Sequence, residues 1–240
     1  MGGRHRDGGR LGLMMGGSHR LVTEQSMIAM PEVSIGLYPD VGGSYFLPRM
    51  PAKTGLFLGL TAYRMNAADA LYTGVATHAV NRDSHAQILQ DLQTFDWMRD
   101  DINHGLDQLM SQHASLQPAS TLVSHQALIN QLMQGSLADI IGRFQQLDTE
   151  LVWLQRAQKS LLKGSPLSWY IAYAQSQLSS ELSLAECFQW ELNLSINCCV
   201  KGDFCEGVRA LLVDKDLAPQ WQYNQLSAAA SEHAKQLMSA

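Results

Sequence analysis

The chain has 240 residues, 46% of them hydrophobic and 16% charged, with 19 Gly and 7 Pro. That length and balance give a core without help from disulfides or metals, and exclude a mini-protein, a collagen-like chain and a disordered one. The net charge of -5 gives no general attraction to phosphate backbones or anionic lipid, so nucleic acid and membrane are not expected as main partners.

In chain order, residues 1–10 are rich in Gly and Arg and have little to bury, so a loop or mobile tail is expected there. They also lack the apolar stretch of a secretory signal, which points to a cytoplasmic or organelle-matrix protein. Arg4, His5, Arg6 and Arg10 carry no interleaved aromatics, so they are weak grounds for a nucleic-acid segment. Residues 11–15 are apolar and small, and residues 19–23 and 27–30 read as short strands. Pro31 stops the second strand. Gly36, Pro39, Gly42 and Gly43 then punctuate a loop from Glu32 to Ser44, where Ser44 reads as the cap of the next helix.

Pro51 stands at a helix start, with Leu56, Phe57 and Leu60 at helical spacing in a stretch far short of the roughly 18 residues of a membrane span. Asn66 reads as the N-cap of a helix over Ala67–Tyr72 closed by Gly74, and residues 75–80 as one more strand. Beyond about Ser84 the pattern turns helical, with Leu147, Leu151, Leu154 and Leu161 as one apolar stripe and residues 100–117, polar and unperiodic, as the best candidate for a mobile segment. Ser165 and Pro166 cap and open a helix to about Leu178, a further helix covers 184–200, and another follows Asp203. The expected division is therefore an α/β unit over 1–83 and a helical region over 84–240.

Several residues invite sharper readings than they support. Cys187, Cys198, Cys199 and Cys205 have no zinc spacing and are expected as reduced thiols. His19, His78, His85, His104, His113, His125 and His233 are dispersed without ligand spacing. Glu24 and Asp69 read as solvated acids, while Glu206 and Arg209, three apart, fit either an ordinary ion pair or a pocket wall. Glu32 and Asp40 differ from the other acids in their company: they share one Gly/Pro-rich loop, and Gly8 and Gly9 stand ahead of an apolar helix start. An amide at a helix N-terminus can donate to a developing oxyanion, so carbonyl chemistry becomes accessible.

Three segments carry a resemblance: the run from Gly9 to Gly12 with Leu13-Met14-Met15, the stretch Ala29-Met30-Pro31-Glu32-Val33-Ser34-Ile35-Gly36-Leu37-Tyr38-Pro39-Asp40-Val41-Gly42-Gly43, and the block from Asp203 to Asp216 with Pro219 and Trp221 after it. Together they resemble the enoyl-CoA hydratase/isomerase, or crotonase, superfamily. The resemblance implies an α/β fold in which the C-terminal portion of a crotonase-like ββα superhelix is followed by a largely helical region. It also implies an acyl-CoA substrate, with coenzyme A as part of that substrate and no metal or redox cofactor.

Within the superfamily, hydratases place a second acid where this chain has Gly12 and tend to have Gly where it has Asp40. The hydrolase branch fits better, and implies hydrolysis of a short branched 3-hydroxyacyl-CoA: 3-hydroxyisobutyryl-CoA to 3-hydroxyisobutyrate and CoA, a step of valine breakdown. Glu32 then resembles the carboxylate that attacks the thioester carbonyl or activates water. Asp40 resembles its partner in proton handling, and Gly9 a backbone donor to the thioester oxygen. The alternatives are a hydratase or isomerase of the same superfamily and a truncated, non-catalytic fragment. The family pattern has three successive glycines where this chain reads Gly8-Gly9-Arg10, and an upstream segment with early strands, much of the CoA surface and another oxyanion donor. The sequence thus reads as lacking that N-terminal part, and the faces it would leave open make a homo-oligomer conceivable. In a eukaryote the mitochondrial matrix is the expected location.

Overall fold

The computed structural model describes residues 8–178 and 182–239. Leu21–Val22 (β1) and His78–Ala79 (β2) pair in parallel, Leu21 opposite His78 and Val22 opposite Ala79. These are the cores of the strands expected at 19–23 and 75–80. The one expected at 27–30 is reduced to a single antiparallel bridge, in which Ile28 and Met65 exchange both backbone hydrogen bonds.

The helices begin with α1 (Gly8–Met15), α2 (Gly43–Phe46), α3 (Thr54–Thr61) and α4 (Ala67–Tyr72). After β2 come α5 (His85–Thr94), α6 (Ile102–Gln112), α7 (Thr121–Ser124), α8 (Gln126–Leu132) and α9 (Leu137–Gln145). The chain closes with α10 (Val152–Lys163), α11 (Pro166–Ser176), α12 (Leu184–Lys201), α13 (Phe204–Val208) and α14 (Ala228–Met238). A 3-10 turn over Glu32–Ile35 opens the acid-bearing loop. The result is the α/β class with a long helical second part, as expected.

Capping residues account for many of these starts. Asn66 accepts from the Asp69 amide while the Asp69 carboxylate accepts from the Asn66 amide, and the same reciprocal box opens α9 at Ser136 and α12 at Ser183. Ser165 caps α11 with Pro166 at its first position.

Other expectations are corrected. Residues 1–7 of the expected tail lie outside the described residues, but Gly8–Arg10 already belong to α1. The helix near Pro51 begins at Thr54, because Ala52 at φ 50° takes the left-handed conformation and breaks the turn. Leu147 and Leu151 precede α10 rather than lying on it, and its buried face is Leu154, Ala157 and Leu161. Residues 100–117 are not an unstructured stretch: Asp101 caps α6, which buries Leu109 and Met110.

The largest core joins Val22, Ile28, Met30, Phe57, Leu60 and Met65 to Ile129, Ile140, Phe144, Leu154, Leu161 and Trp169, so residues before and after position 83 share it. A second core sets Leu37 and Tyr38 of the acid-bearing loop against Leu167, Ile171, Leu194, Cys198, Ala234 and Leu237 of α11, α12 and α14. That second core fixes the loop. Parallel pairing of β1 and β2 also brings His19 and His78 together, stacked at 5.5 Å with both Nε2 atoms on Asp107 Oδ1 of α6, so these two histidines are not dispersed.

Candidate active site

Glu32 is the first residue of the 3-10 turn and is 5% exposed. Its carbonyl accepts from the amides of Gly36 and Leu37, which turns the chain back on itself. Gly36 makes this turn at φ 71°, and a Cβ there would sit 2.5 Å from the Asp203 carbonyl oxygen. Position 36 must therefore be glycine on both counts. Gly207 lies equally tight against Ile35. The two distant segments that carry the resemblance thus pack directly on each other.

The block after Asp203 is braced from within. Arg209 pairs with Glu206 at 2.7 Å, Asp214 at 2.6 Å and Asp216 at 2.7 Å, and its bond to Glu206, with that from the Gln220 amide, holds the Glu206 carboxyl down at about 2. Asp203 itself is buried and accepts from Ser165 Oγ at 2.5 Å and from the Gln222 amide at 3.0 Å.

Asp40 sits at the other end of the loop, half-buried, between two anchors. On one side Gln175, 1% exposed, donates through Nε2 to the Pro39 carbonyl at 2.6 Å and to Ser44 Oγ at 2.8 Å. On the other, Glu191 of α12, 4% exposed, accepts from the Gly42 amide at 2.8 Å and the Ser44 amide at 2.9 Å. Ser44 is therefore not the cap of α2: Gly42 is, and the Glu191 carboxylate satisfies the end of that helix. Tyr38 completes the brace by donating its hydroxyl to the Glu191 carbonyl at 2.8 Å.

Electrostatics follow from this packing. Burial pushes the Asp40 carboxyl up to about 6, and the negative charge of Glu191 adds to the rise. Asp40 is thus poised to gain or lose a proton near neutral pH. Burial also raises the Tyr38 phenol and lifts the Cys198 thiol to about 12. The four cysteines are free.

Gly9 lies in the first turn of α1. One turn on, Gly12 packs against Val41: a Cβ at position 12 would lie 2.6 Å from the Val41 carbonyl oxygen. Residues three apart share a helix face, so the face of α1 that bears Gly9 is the one laid on the residue after Asp40. Val41 is held at φ 48°, a conformation a β-branched residue adopts only when its surroundings enforce it. α1 and the loop that carries Glu32 and Asp40 thus touch at Gly12 and Val41. A cavity of about 570 Å³ opens beside it, walled by Pro31, Ser34, Tyr63, Trp153 and two arginines, Arg64 and Arg156; Glu32 and Asp40 do not line it.

The sequence reading missed Glu191 and Gln175, whose partners lie more than 100 positions away. It also took Asp69 for a solvated acid. Asp69 is fully buried and accepts from Ser120 Oγ at 2.7 Å and the Leu122 amide at 3.0 Å, tying α4 to α7. Among the described residues no group of three His, Cys, Asp or Glu side chains is placed to hold a metal, and no helix is long and apolar enough to cross a membrane.

Comparison with known proteins agrees with this architecture. Residues 7–238 match the enoyl-CoA hydratase/isomerase family model. The 3-hydroxyisobutyryl-CoA hydrolase of Danio rerio is 37% identical over 94% of this chain, and that of Homo sapiens 35% identical over 94%. The chain spans 59% and 58% of the length of these relatives. Among solved structures, an enoyl-CoA hydratase from Rhodobacter sphaeroides superposes with a TM-score of 0.83 at 31% identity, covering 98% of this chain and 66% of the other. The chain therefore belongs to the enoyl-CoA hydratase/isomerase family.

Proposed function

We propose that this chain carries the acid-bearing half of a site that hydrolyses a short branched 3-hydroxyacyl-CoA thioester, converting 3-hydroxyisobutyryl-CoA to 3-hydroxyisobutyrate and CoA as in valine breakdown. The observation that carries the reading is the loop from Glu32 to Ser44, with a buried carboxylate at one end and, at the other, Asp40 raised to about 6. The names of the relatives, 3-hydroxyisobutyryl-CoA hydrolase, support the choice of substrate, and their mitochondrial designation supports a matrix location in a eukaryote.

In this reading Glu32 either attacks the thioester carbonyl carbon or takes a proton from the attacking water. Oxygen adds to that carbon, the C–S bond breaks, and the sulfur leaves as a thiol once protonated; when Glu32 is the nucleophile, the resulting anhydride is then opened by water, which frees the hydroxy acid and restores the carboxylate. Asp40, part-protonated near neutral pH, handles that proton and meets the acyl hydroxyl. The Gly9 amide donates to the carbonyl oxygen as its charge develops, where a preorganised donor is worth roughly 10²- to 10³-fold in rate. Arg64 and Arg156 beside the loop suit the phosphates of a CoA ester.

Water addition to an enoyl-CoA is the rival, and the solved hydratase neighbour speaks for it. It is disfavoured because the second acid of that chemistry would stand at position 12, where the Val41 carbonyl leaves no room for a Cβ. The test is product analysis of the 240-residue chain with 3-hydroxyisobutyryl-CoA and, separately, with a 2-enoyl-CoA. Free thiol from the first without loss of the enoyl absorbance in the second is expected. Water addition without thiol release would favour the hydratase reading, and neither turnover nor saturable binding of the ester would leave a non-catalytic fragment.

A further inference from the structure

The cavity beside the acid-bearing loop is built from segments that lie far apart in the chain. The bridge between Ile28 and Met65 turns both of those side chains, each 1% exposed, into the core. Neighbours along an extended segment point to opposite sides, so Met27 and Ala29 on one strand of the bridge and Arg64 and Asn66 on the other line the cavity. α10 supplies a further wall: Trp153, Arg156, Ala157 and Ser160, spaced three and four apart, share one helix face. The two walls meet where the Tyr63 and Trp153 rings touch, at 5.8 Å between centroids.

Three groups in these walls have no use within the fold. Arg64 and Arg156 form no ion pair among the described residues, and no acidic side chain among them lines the cavity. The buried Nε1 of Trp153 meets no acceptor among the described residues, whereas Trp97, Trp169 and Trp221 each donate to a carbonyl. A buried indole N–H ordinarily finds a partner. The Trp153 ring is itself clamped by Phe57, Tyr63 and His125, which makes it a rigid wall.

We propose that this cavity is a nucleoside-phosphate pocket, with phosphate oxygens on the Arg64 and Arg156 guanidiniums and the base against the Trp153 and Tyr63 rings. Guanidinium matches the geometry of phosphate, and aromatic rings give a base a surface to pack on. The volume of about 570 Å³ falls in the range, roughly 300–1,000 Å³, that encloses an organic ligand, and a lone inorganic phosphate would leave most of it to water. Two molecules carry this chemistry. One is the nucleotide end of the CoA thioester, in which case the inference rests on the proposed hydrolysis; the other is a free nucleotide such as ADP, in which case it does not.

The test is calorimetric titration of the 240-residue chain with adenosine 3′,5′-bisphosphate, ADP, CoA, adenosine and inorganic phosphate. Saturable binding of the phosphorylated nucleosides is expected, falling as salt is raised, with adenosine and inorganic phosphate each at least about tenfold weaker. Arg64→Gln and, independently, Arg156→Gln should each weaken it at least about tenfold without changing the helical circular dichroism. Lys159→Gln, the same loss of charge on α10 but outside the cavity, should not. The indole N–H resonance of Trp153, assigned by its loss in Trp153→Phe, should shift on binding.

Competition identifies the source. Displacement of the bisphosphate by CoA, with a thioester of pantetheine alone hydrolysed at raised KM and unchanged kcat, assigns the pocket to the substrate; binding of ADP that CoA does not displace assigns it to a free nucleotide. Nucleotide binding without thiol release would sink the proposed hydrolysis and leave the pocket standing. No saturable binding, inorganic phosphate as tight as the nucleotides, or affinity that survives both arginine substitutions would overturn the inference, whether or not thiol is released.

Discussion

Replacing Asp40 by Asn should stabilise the fold at neutral pH. The native carboxyl titrates at about 6, raised by burial and by Glu191, against about 3.9 in an unfolded chain. Between those values the native state holds the proton more tightly than the unfolded state does, so stability falls as pH rises through the window. The full cost is present above about 6, and it is absent below about 4. Two pH units correspond to about 3 kcal/mol, which partial exposure of Asp40 reduces to about 2 kcal/mol.

Asn keeps the shape and the local hydrogen bond but cannot ionise. Urea unfolding of both proteins between pH 4 and 8 should give curves that coincide near pH 4 and separate as pH rises, with the variant more stable by about 2 kcal/mol at pH 7. A separation independent of pH, or a variant less stable at pH 7, would refute the claim that the folded chain strains against the ionised form of this acid.

Removing the carboxylate in Glu191→Ala leaves the Gly42 and Ser44 amides buried without an acceptor, and should cost about 3–5 kcal/mol in denaturant unfolding while lowering the pH at which Asp40 titrates by NMR. Gly12→Ala places a methyl 2.6 Å from the Val41 carbonyl oxygen and should cost about 1–3 kcal/mol, read the same way; a neutral result would mean that α1 does not press on the loop. Asp69→Ala strips acceptors from Tyr63, Asn66, Ser120 and Leu122 and should cost about 3–5 kcal/mol, whereas a solvated acid would cost under about 0.5 kcal/mol.

What could be read from residues was local. The Asn66 cap, the Ser165-Pro166 start and the extent of α12 depend on neighbours within a few positions, and sequence periodicity reports those directly. The loop from Glu32 to Asp40 was legible as a candidate site because its punctuation and two acids lie in one stretch. Its support was not legible: Glu191 reaches Gly42 across the whole intervening chain and has the look of any helix-surface acid. Asp69 was misjudged for a related reason, since Ser120 and Leu122, which bury it, come from a helix far along the chain. His19 and His78 meet because two strands pair in parallel, a register that neither strand encodes alone. The polar stretch from 100 to 117 concealed α6 because few of its positions face the core.

The most direct test of the proposed chemistry is the rate of thiol release from 3-hydroxyisobutyryl-CoA by the 240-residue chain and by its Glu32→Gln variant, which keeps the side-chain shape and removes the nucleophile or base. The account predicts a fall in kcat of at least about a thousandfold with KM little changed, the signature of a group needed in the transition state rather than in binding. Equal rates for the two proteins would contradict it.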